Sequence, residues 1–398
     1  MIKYTSSFCL RFFLWYKAGY LNCSIKTLFL KERKSLYQKL RGNKPAVAAC
    51  AVIMLTVLLA IFAYPLSPDN TPMANNMVVE LSARKAGYQQ LFLLAPKARI
   101  PEQPSFFSRF FSGSPSTHSH IPINGYYLLH DTLYARHHVD MNLEDTIAYP
   151  LSLFRVPAGT DKAQWIAGHN IKTRFFLLGT DRYGRDILSR LLIGTRVSIT
   201  VGIVSVILSL SIGIFLGSLA GWYGGKTDAA VMYIINMLWS VPTLLLVFAI
   251  TLTIGKGFWE IFIAIGLTSW VSAARLIRGQ VMQLKEMDFI TAAKALGFKD
   301  SRIIFRHILP NIAGPIMVVA AANFATAILI EAGLSFLGVG VQPPTPSWGL
   351  MIKEHYNFLI AGNPLPAIVP GLAIMLLVLA FNIMGNALRD AIDVRNNV

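Results

Sequence analysis

The sequence predicts an all-α membrane protein with six transmembrane helices and one long segment between the first two. Of its 398 residues, 54% are hydrophobic and only 14% are charged, whereas soluble domains carry about 25% charged residues. Apolar stretches with few or no charges also recur at the length of about 20 residues that a bilayer-spanning helix needs. These observations argue against a soluble enzyme and against a disordered chain, which has the opposite composition.

Six apolar stretches meet the length requirement, and the fourth of them contains Glu260. The first is 45–67, and the others lie between Arg196 and Lys226, between Asp228 and Lys256, from Phe258 to Arg275, between Arg306 and Glu331, and from Pro366 to Leu388. The stretch 332–352 is also uncharged, but its prolines and glycines indicate a loop.

The formal net charge of +16 comes from 36 basic and 20 acidic residues. A basic balance alone is compatible with nucleic-acid binding or with an anionic membrane surface. Residues 1–44 hold ten of the basic residues and one acid, directly before the first span. Because cytoplasmic flanks of spans are enriched in Lys and Arg, the N-terminus is predicted to be cytoplasmic. The distribution of charge therefore indicates the orientation of the chain in the membrane, and nucleic acid is dropped as a partner. Six crossings return the C-terminus to the cytoplasm.

The positions of the charges and of the apolar stretches divide the chain into four parts. They are a basic cytoplasmic tail (1–44), a first transmembrane helix (45–67), an extracytoplasmic insert (68–178), and a membrane core (179–398) with helices two to six. The secondary structure of the insert is not readable from its pattern. We expect its aromatic residues to build a small core: Phe106, Phe107, Phe110, Phe111, Tyr126, Tyr127 and Trp165.

Six of the eight histidines also lie in the insert: His118, His120, His130, His137, His138 and His169. Together with nearby acids they raise the possibility of a divalent metal site. Their spacing matches no metal motif and the insert has no cysteine, so we favour a solvated polar surface and assign no metal ligand.

The most specific pattern is TAAKALGFKDSRIIFRHILP at Thr291–Pro310. Met287–Leu296 is predicted to be a short helix that ends at Gly297 in the left-handed conformation. Asp300 or Ser301 is placed to cap a second helix that stops at Pro310. A helix–Gly–helix elbow over 286–310, between spans on the cytoplasmic side, suits docking against another protein. The alternative is an ordinary basic linker.

This elbow resembles the "EAA" signature of ABC-importer permeases. Ala292, Ala293, Gly297, Leu309 and Pro310 fall in register with it, while a threonine replaces the usual acid at 291 and a histidine the usual isoleucine at 307. Four further blocks resemble the C-type subunit of the dipeptide/oligopeptide/nickel permeases: 179–202, 221–228, 336–352 and 370–393. The resemblance covers about 45–67 and 179–398.

The resemblance implies a type I importer permease in a bacterial inner membrane, translocating peptides or a related small solute. It implies a homologous second permease subunit, cytoplasmic ATPase subunits and an extracytoplasmic substrate-binding protein as partners. It assigns ATPase coupling to Thr291, Ala292, Ala293, Lys294, Gly297, Leu309 and Pro310. Two alternatives stay open: a secondary transporter driven by an ion gradient, and a family relative that imports nickel.

No ATP site or other cofactor site is predicted in this chain, and no enzyme activity. The segment GGKT at 224–227 lacks the earlier glycine of a phosphate-binding loop, because Ala220 stands there. A membrane helix also precedes it where a strand is required. ATP is therefore expected to be used by a partner subunit.

The block GTDRYGRD at 179–186 precedes the second span. Asp181 and Asp186 do not share a helical face and have no nucleophile or histidine beside them, which argues against catalysis. We expect Asp181 to be an N-cap, with Arg182, Arg185 and Arg190 at the membrane interface. The family resemblance implies an external surface helix that includes Asp181, Gly184, Arg185 and Asp186.

Two further features of the spans call for an explanation. Gly213, Gly217 and Gly221 repeat every fourth residue in the second span, which predicts close approach of another helix. Glu331 ends the fifth span. A membrane-embedded carboxylate is a candidate for the transport pathway, and solvation at the interface or a capping role is the equal alternative.

Overall fold

The structure of the chain is a computed structural model. It describes residues 38, 40–99, 101–140, 143–154, 156–157, 159–255 and 257–392. Most of the basic tail predicted over 1–44 lies outside the described residues.

The described chain is mainly helical, with one β-sheet in the insert. The helices are α1 (Lys44–Ile61), α2 (Ala63–Leu66), α3 (Phe106–Ser112), α4 (Lys162–His169), α5 (Ile187–Tyr223), α6 (Gly225–Trp239), α7 (Thr243–Ile254), α8 (Phe258–Lys285), α9 (Asp288–Ala295), α10 (Asp300–Ile303), α11 (Leu309–Asn311), α12 (Ala313–Leu337), α13 (Trp348–His355) and α14 (Leu365–Ile392). The strands are β1 (Tyr88–Pro96), β2 (His118–Leu129), β3 (Thr132–Asp140), β4 (Leu143–Pro150) and β5 (Ile171–Phe176).

Five of these helices are long and apolar enough to cross a membrane: α1, α5, α8, α12 and α14. The third predicted span is the bent pair α6 and α7, whose axes differ by 92°, and it makes the sixth crossing if the pair counts as one. The bend follows from Pro242, whose backbone angles before α7 (φ −55°, ψ 126°) are not helical. Proline lacks the N–H that a continuous helix needs and disfavours helical geometry in the preceding residue. The predicted helical membrane fold is confirmed, with a broken third span.

Helices α5 and α8 pack closely along the glycine stripe. A Cβ added at Gly213 would lie 2.7 Å from the Cβ of Ala273, and one at Gly217 would lie 2.6 Å from the carbonyl oxygen of Ala274. At Gly221 the nearest atom would be the carbonyl oxygen of Arg278, at 2.7 Å. The predicted close approach is therefore present, and the partner helix is α8.

The insert folds around a five-stranded antiparallel sheet with the strand order β4-β3-β2-β1-β5. Its core is mostly aliphatic and includes Leu93, Ile123, Leu133 and Ile166, all fully buried. The prediction of an aromatic core is wrong for α3, because Phe106, Phe107 and Phe111 are 76%, 73% and 58% exposed. Helix α3 lies beside the end of α1, away from the centre of the sheet.

Candidate functional site

The elbow between α8 and α12 turns at Gly297, as the sequence predicts. Gly297 has φ +75°. The N–H of Phe298 donates to the carbonyl of Ala293 at 3.2 Å, and the N–H of Gly297 donates to that of Lys294 at 2.9 Å. This pair of bonds is the Schellman arrangement that satisfies the last carbonyls of a helix. Glycine adopts the left-handed conformation at no steric cost, so the residue type fixes where α9 ends.

One side of the elbow is buried against the membrane helices. Ile290 and Ala293 of α9, together with Ile303 and Ile308 farther along, join a cluster that contains Val281 of α8. The other side is exposed, including Phe289 at 44% and Leu296 at 72%. Because Phe289, Ala292 and Leu296 are three and seven residues apart, they share one face of this helical turn. The elbow is therefore packed on one side and has an apolar exposed face on the other.

Charged and aromatic side chains add further contacts around the elbow. The Lys294 ammonium lies 4.7 Å from the ring centre of Trp222, near the end of α5. The His307 ring stacks on Phe298 with centres 6.0 Å apart, and Arg302 lies over the same Phe298 ring at 4.3 Å. These contacts hold the two arms of the elbow together and connect it to α5. His307, which stands where the family signature usually has isoleucine, therefore has a packing role.

Each predicted coupling residue lies on this elbow. Thr291, Ala292, Lys294, Gly297 and Pro310 are exposed, Leu309 is half-buried and Ala293 is buried.

The second arm differs from the prediction in two details. Neither Asp300 nor Ser301 is its N-cap, because α10 begins at Asp300 and Lys299 occupies the cap position without a side-chain bond. The chain also does not stop at Pro310, which lies inside α11 after a π-helical turn over Ile304–Ile308. Since Pro310 has no N–H to donate, a widened turn before it is the expected accommodation.

A second candidate site is a buried ion cluster where the insert meets the membrane core. The Nε of Arg185 donates to Asp181 at 2.6 Å, and its Nη2 donates to Glu354 at 3.0 Å. Arg190 lies within 3.8 Å of Asp181 and 3.5 Å of Glu354. The two arginine and the two carboxylate side chains are at most 4% exposed. Two positive and two negative groups thus neutralise each other away from water.

The prediction of an external surface helix at 181–186 is wrong. The segment is a loop, α5 begins only at Ile187, and its N-cap is Asp186, which accepts from the Ser189 N–H at 2.8 Å. Asp181 instead accepts the backbone N–H groups of Tyr183 and Arg185. Gly184 has φ +71°, and a Cβ there would overlap the carbonyl oxygen of Val78. The close docking of the loop on 75–84 explains why these residues are buried.

The ion cluster also brings together a set of possible metal ligands. Single ligand atoms of Asp181, Glu354 and His355 lie within 4.8 Å of one another. Arg185 and Arg190 already pair with the two carboxylates, and the His355 Nδ1–H donates to the Met351 carbonyl at 2.6 Å. Burial lowers the pKa of His355 and raises that of Asp186. The arrangement is that of a structural ion-pair cluster, and we assign no metal to it.

Glu331 lies inside α12, which continues to Leu337, and does not end the span as predicted. Its side chain is 1% exposed, so solvation at the membrane interface is also wrong. The Ser335 hydroxyl donates to its Oε1 at 2.6 Å, and the same hydroxyl accepts the Val341 N–H at 3.0 Å. The carboxyl thus connects α12 to the loop 338–347. Its role in a transport pathway stays a prediction.

The insert histidines are engaged separately rather than gathered at one point. His120 contacts Asn76 at 3.1 Å and Arg174 at 2.9 Å. His138 contacts Arg84 at 2.7 Å, and His169 stacks on Trp165 with ring centres 3.8 Å apart. Burial, and next the charge of Arg174, lower the pKa of His120 to about 3.

Five apolar helices of membrane-spanning length and one bent pair, with an exposed elbow between α8 and α12, are the features of a polytopic membrane protein. The family described as "Binding-protein-dependent transport system inner membrane component" matches residues 213–397. The oligopeptide transport system permease protein OppC of Bacillus subtilis (strain 168) is 42% identical over 215 residues, which are 54% of this chain and 70% of the relative.

Two other relatives are similar to the same degree. The glutathione transport system permease protein GsiD of Pectobacterium atrosepticum is 44% identical, over 54% of this chain and 71% of the relative. The di/tripeptide transport system permease protein DppC of Pseudomonas aeruginosa (strain UCBPP-PA14) is 42% identical, over 58% and 74%. The chain belongs to the family of binding-protein-dependent transport inner membrane components. The predicted resemblance to C-type importer permeases is confirmed.

Among solved structures, an inward-facing form of the MetNI methionine ABC transporter matches with 19% identity and a TM-score of 0.42. The match covers 51% of this chain and 96% of the other.

Proposed function

We propose that this chain is one of two membrane subunits of an ATP-driven importer of peptides. The elbow at 286–310 carries the proposal. It has the shape of a docking element, with one side packed on α8 and an exposed face that presents Phe289 and Leu296. Exposed apolar side chains within a basic surface are typical of a protein interface.

The elbow docks in a cytoplasmic ATPase subunit. Movement of that subunit on ATP binding displaces the elbow, and α8 and α12, which flank it in the chain, move with it. Coupling is then mechanical, through rigid helices. ATP hydrolysis belongs to the separate ATPase chain, and this chain holds no cofactor and catalyses no reaction. Thr291, Ala292 and Lys294 lie on the exposed side of α9 and contribute to the interface.

The remaining assignments follow from the topology. Both termini are cytoplasmic, so the insert with its sheet faces outward, where a substrate-binding protein delivers the solute. The solute crosses between this subunit and a homologous partner. The printed names of the relatives refer to oligopeptides, di- and tripeptides and glutathione, which supports a peptide substrate.

Substitution of Gly297 by valine tests the role of the elbow. The glycine has φ +75° and an added Cβ would meet no atom within 4 Å, so the main expected effect of the substitution is on the backbone conformation. An L-residue in the left-handed conformation costs about 1–2 kcal/mol. A cost of about 1.4 kcal/mol lowers the population of the native turn, relative to other conformations of the elbow, by a factor of about ten. We therefore expect uptake of a radiolabelled dipeptide to fall by about tenfold or more, while membrane insertion is unchanged.

Gly362→Val is the matched control, because Gly362 has φ +78° and is equally free of neighbours. It lies between α13 and α14, away from the elbow. Co-purification of an ATPase subunit should be lost in Gly297→Val and retained in Gly362→Val. Normal uptake and co-purification in Gly297→Val would refute the coupling role.

A further inference from the structure

We propose that α3 is an interfacial helix, whose phenylalanine side chains insert into the outer leaflet and fix the insert to the lipid surface. Helix α3 lies within the insert and has no part in coupling or substrate delivery as described above. The proposal requires that α1 crosses the membrane, and its assignment to the outer leaflet rests on the topology of the proposed function.

The depth of α3 is set by the end of α1. Helix α1 has 18 residues and is about 27 Å long, close to the thickness of the hydrocarbon core. It begins at Lys44, so its last residues lie at the opposite interface. The Phe62 ring, directly after α1, contacts the Phe110 ring of α3 edge to face at 5.8 Å. Helix α3 is therefore at the level where α1 leaves the bilayer.

Arg196 fixes the two helix ends to one another. Its Nε and Nη2 donate to the carbonyls of Ala60 and Ile61, both at 3.0 Å, and its Nη1 donates to the carbonyl of Phe111. The last carbonyls of a helix have no partner within it, so one guanidinium satisfies the C-terminal ends of both helices. Arg196 is also the last charged residue before the apolar stretch of α5. The position of Arg196 therefore indicates where α5 enters the membrane, at the same level as the end of α1.

Three of the exposed side chains of α3 are large and apolar. Phe106, Phe107 and Phe111 are 76%, 73% and 58% exposed. Aromatic side chains of this size each bury 150–250 Å² when covered, so three of them left in water are unfavourable. Between Phe107 and Phe111 the chain has polar Ser108, exposed Arg109 and half-buried Phe110. The charge of Arg109 is suited to phosphate headgroups.

The phenylalanine patch is continuous with the exposed apolar surface at the end of α1. Leu58 and Ile61 at the end of α1 are 49% and 44% exposed, and Phe62 is 45% exposed. Side chains on an outer face of a membrane-spanning helix contact acyl chains, and the ring contact between Phe62 and Phe110 joins that face to α3. Continuity with the lipid-facing surface identifies the bilayer as the occupant, in preference to a protein partner. Interfacial helices bury such a face at the boundary between headgroups and acyl chains.

Electron paramagnetic resonance of spin labels tests this placement. The three native cysteines are replaced by serine, and a nitroxide is attached to Phe107→Cys in the full chain, reconstituted in vesicles of phosphatidylcholine and phosphatidylglycerol. We expect the ratio of oxygen to nickel-chelate accessibility to be severalfold higher than at Leu129→Cys. Leu129 ends β2 and is 53% exposed, which makes it a matched apolar position on the sheet.

Leu58→Cys on α1 gives the value for a lipid-facing position, and Phe111→Cys repeats the measurement should Phe107→Cys fail to fold. A ratio at 107 and 111 equal to that at 129 would mean that the helix lies in water, and would overturn the proposal. Shielding of both labels from both reagents would mean that protein covers the patch, and would overturn it equally.

Discussion

Arg185 donates to Asp181 at 2.6 Å in a site where neither side chain is more than 1% exposed to water. The same guanidinium reaches Glu354 on α13 and Asn75 in the insert. One side chain thus joins three parts of the chain that are more than 100 residues apart in sequence. Breaking a buried pair is costly because the remaining partner keeps a charge that water cannot reach.

Asp181→Asn is therefore expected to destabilise the protein by about 3–5 kcal/mol. The amide keeps an acceptor for the loop N–H groups but removes the charge. Thermal unfolding in detergent measures the effect. Asp131→Asn is the control, since Asp131 pairs with Lys162 at the same 2.6 Å but is 81% exposed, and its midpoint should stay unchanged. Equal shifts in both variants would show that burial does not decide the strength of the pair.

Gly217→Ala is expected to weaken the packing of α5 on α8. The added Cβ would lie 2.6 Å from the carbonyl oxygen of Ala274, and backbone atoms cannot move aside cheaply. We expect a loss of about 1–3 kcal/mol in thermal unfolding. Gly279→Ala adds a methyl group on α8 where no atom lies within 4 Å, so its midpoint should stay or rise slightly. A similar loss at Gly279 would contradict the role of close approach.

Glu331→Gln separates a packing role from a role in the transport pathway. The amide oxygen can still accept from Ser335, so we expect stability and uptake to persist. Glu331→Leu removes that acceptor and should cost about 1–3 kcal/mol, because a buried hydroxyl loses its partner. The thermal midpoint and dipeptide uptake are measured together. Lost uptake in Glu331→Gln at an unchanged midpoint would instead support Glu331 as a pathway residue.

His120 should make the insert less stable in acid. Burial and Arg174 lower its pKa to about 3, below the ordinary value of about 6.5. The unfolded chain then binds a proton below pH 6.5 that the folded chain does not, so stability falls as the pH falls. Between pH 7.5 and 5 we expect this histidine to account for about 1 kcal/mol, after allowance for its partial exposure. His120→Gln should reduce the loss measured by thermal unfolding, and an identical pH profile would contradict it.

The elbow was predictable because its signals are local. Gly297 marks a chain reversal through its own backbone preference, and the structure has the left-handed turn there. The stop predicted at Pro310 is absent, because Pro310 lies inside α11. The bend of the third span also had its signal in Pro242. A criterion based only on the length of an apolar stretch does not detect this bend, because proline does not make the stretch less apolar.

The sheet and the ion cluster were not predictable for two different reasons. The β2–β3 hairpin turns at His130–Asp131, where His130 has φ +53°, and the Asn-Gly or Asp-Gly pair that marks such turns is absent from it. The ion cluster depends on Glu354, which is 169 residues from Arg185. A periodic pattern predicts what a segment buries, but it does not identify a partner at that distance.

Helix α5 runs without interruption for 37 residues, or about 55 Å, from the ion cluster at its start to Trp222 beside Lys294 at its end. The insert and the elbow therefore contact opposite ends of one continuous helix. We expect that the orientation of the insert sheet and the position of the turn at Gly297 cannot vary independently. A protein that binds the insert would, by this route, change the resting position of the elbow at the other end of α5.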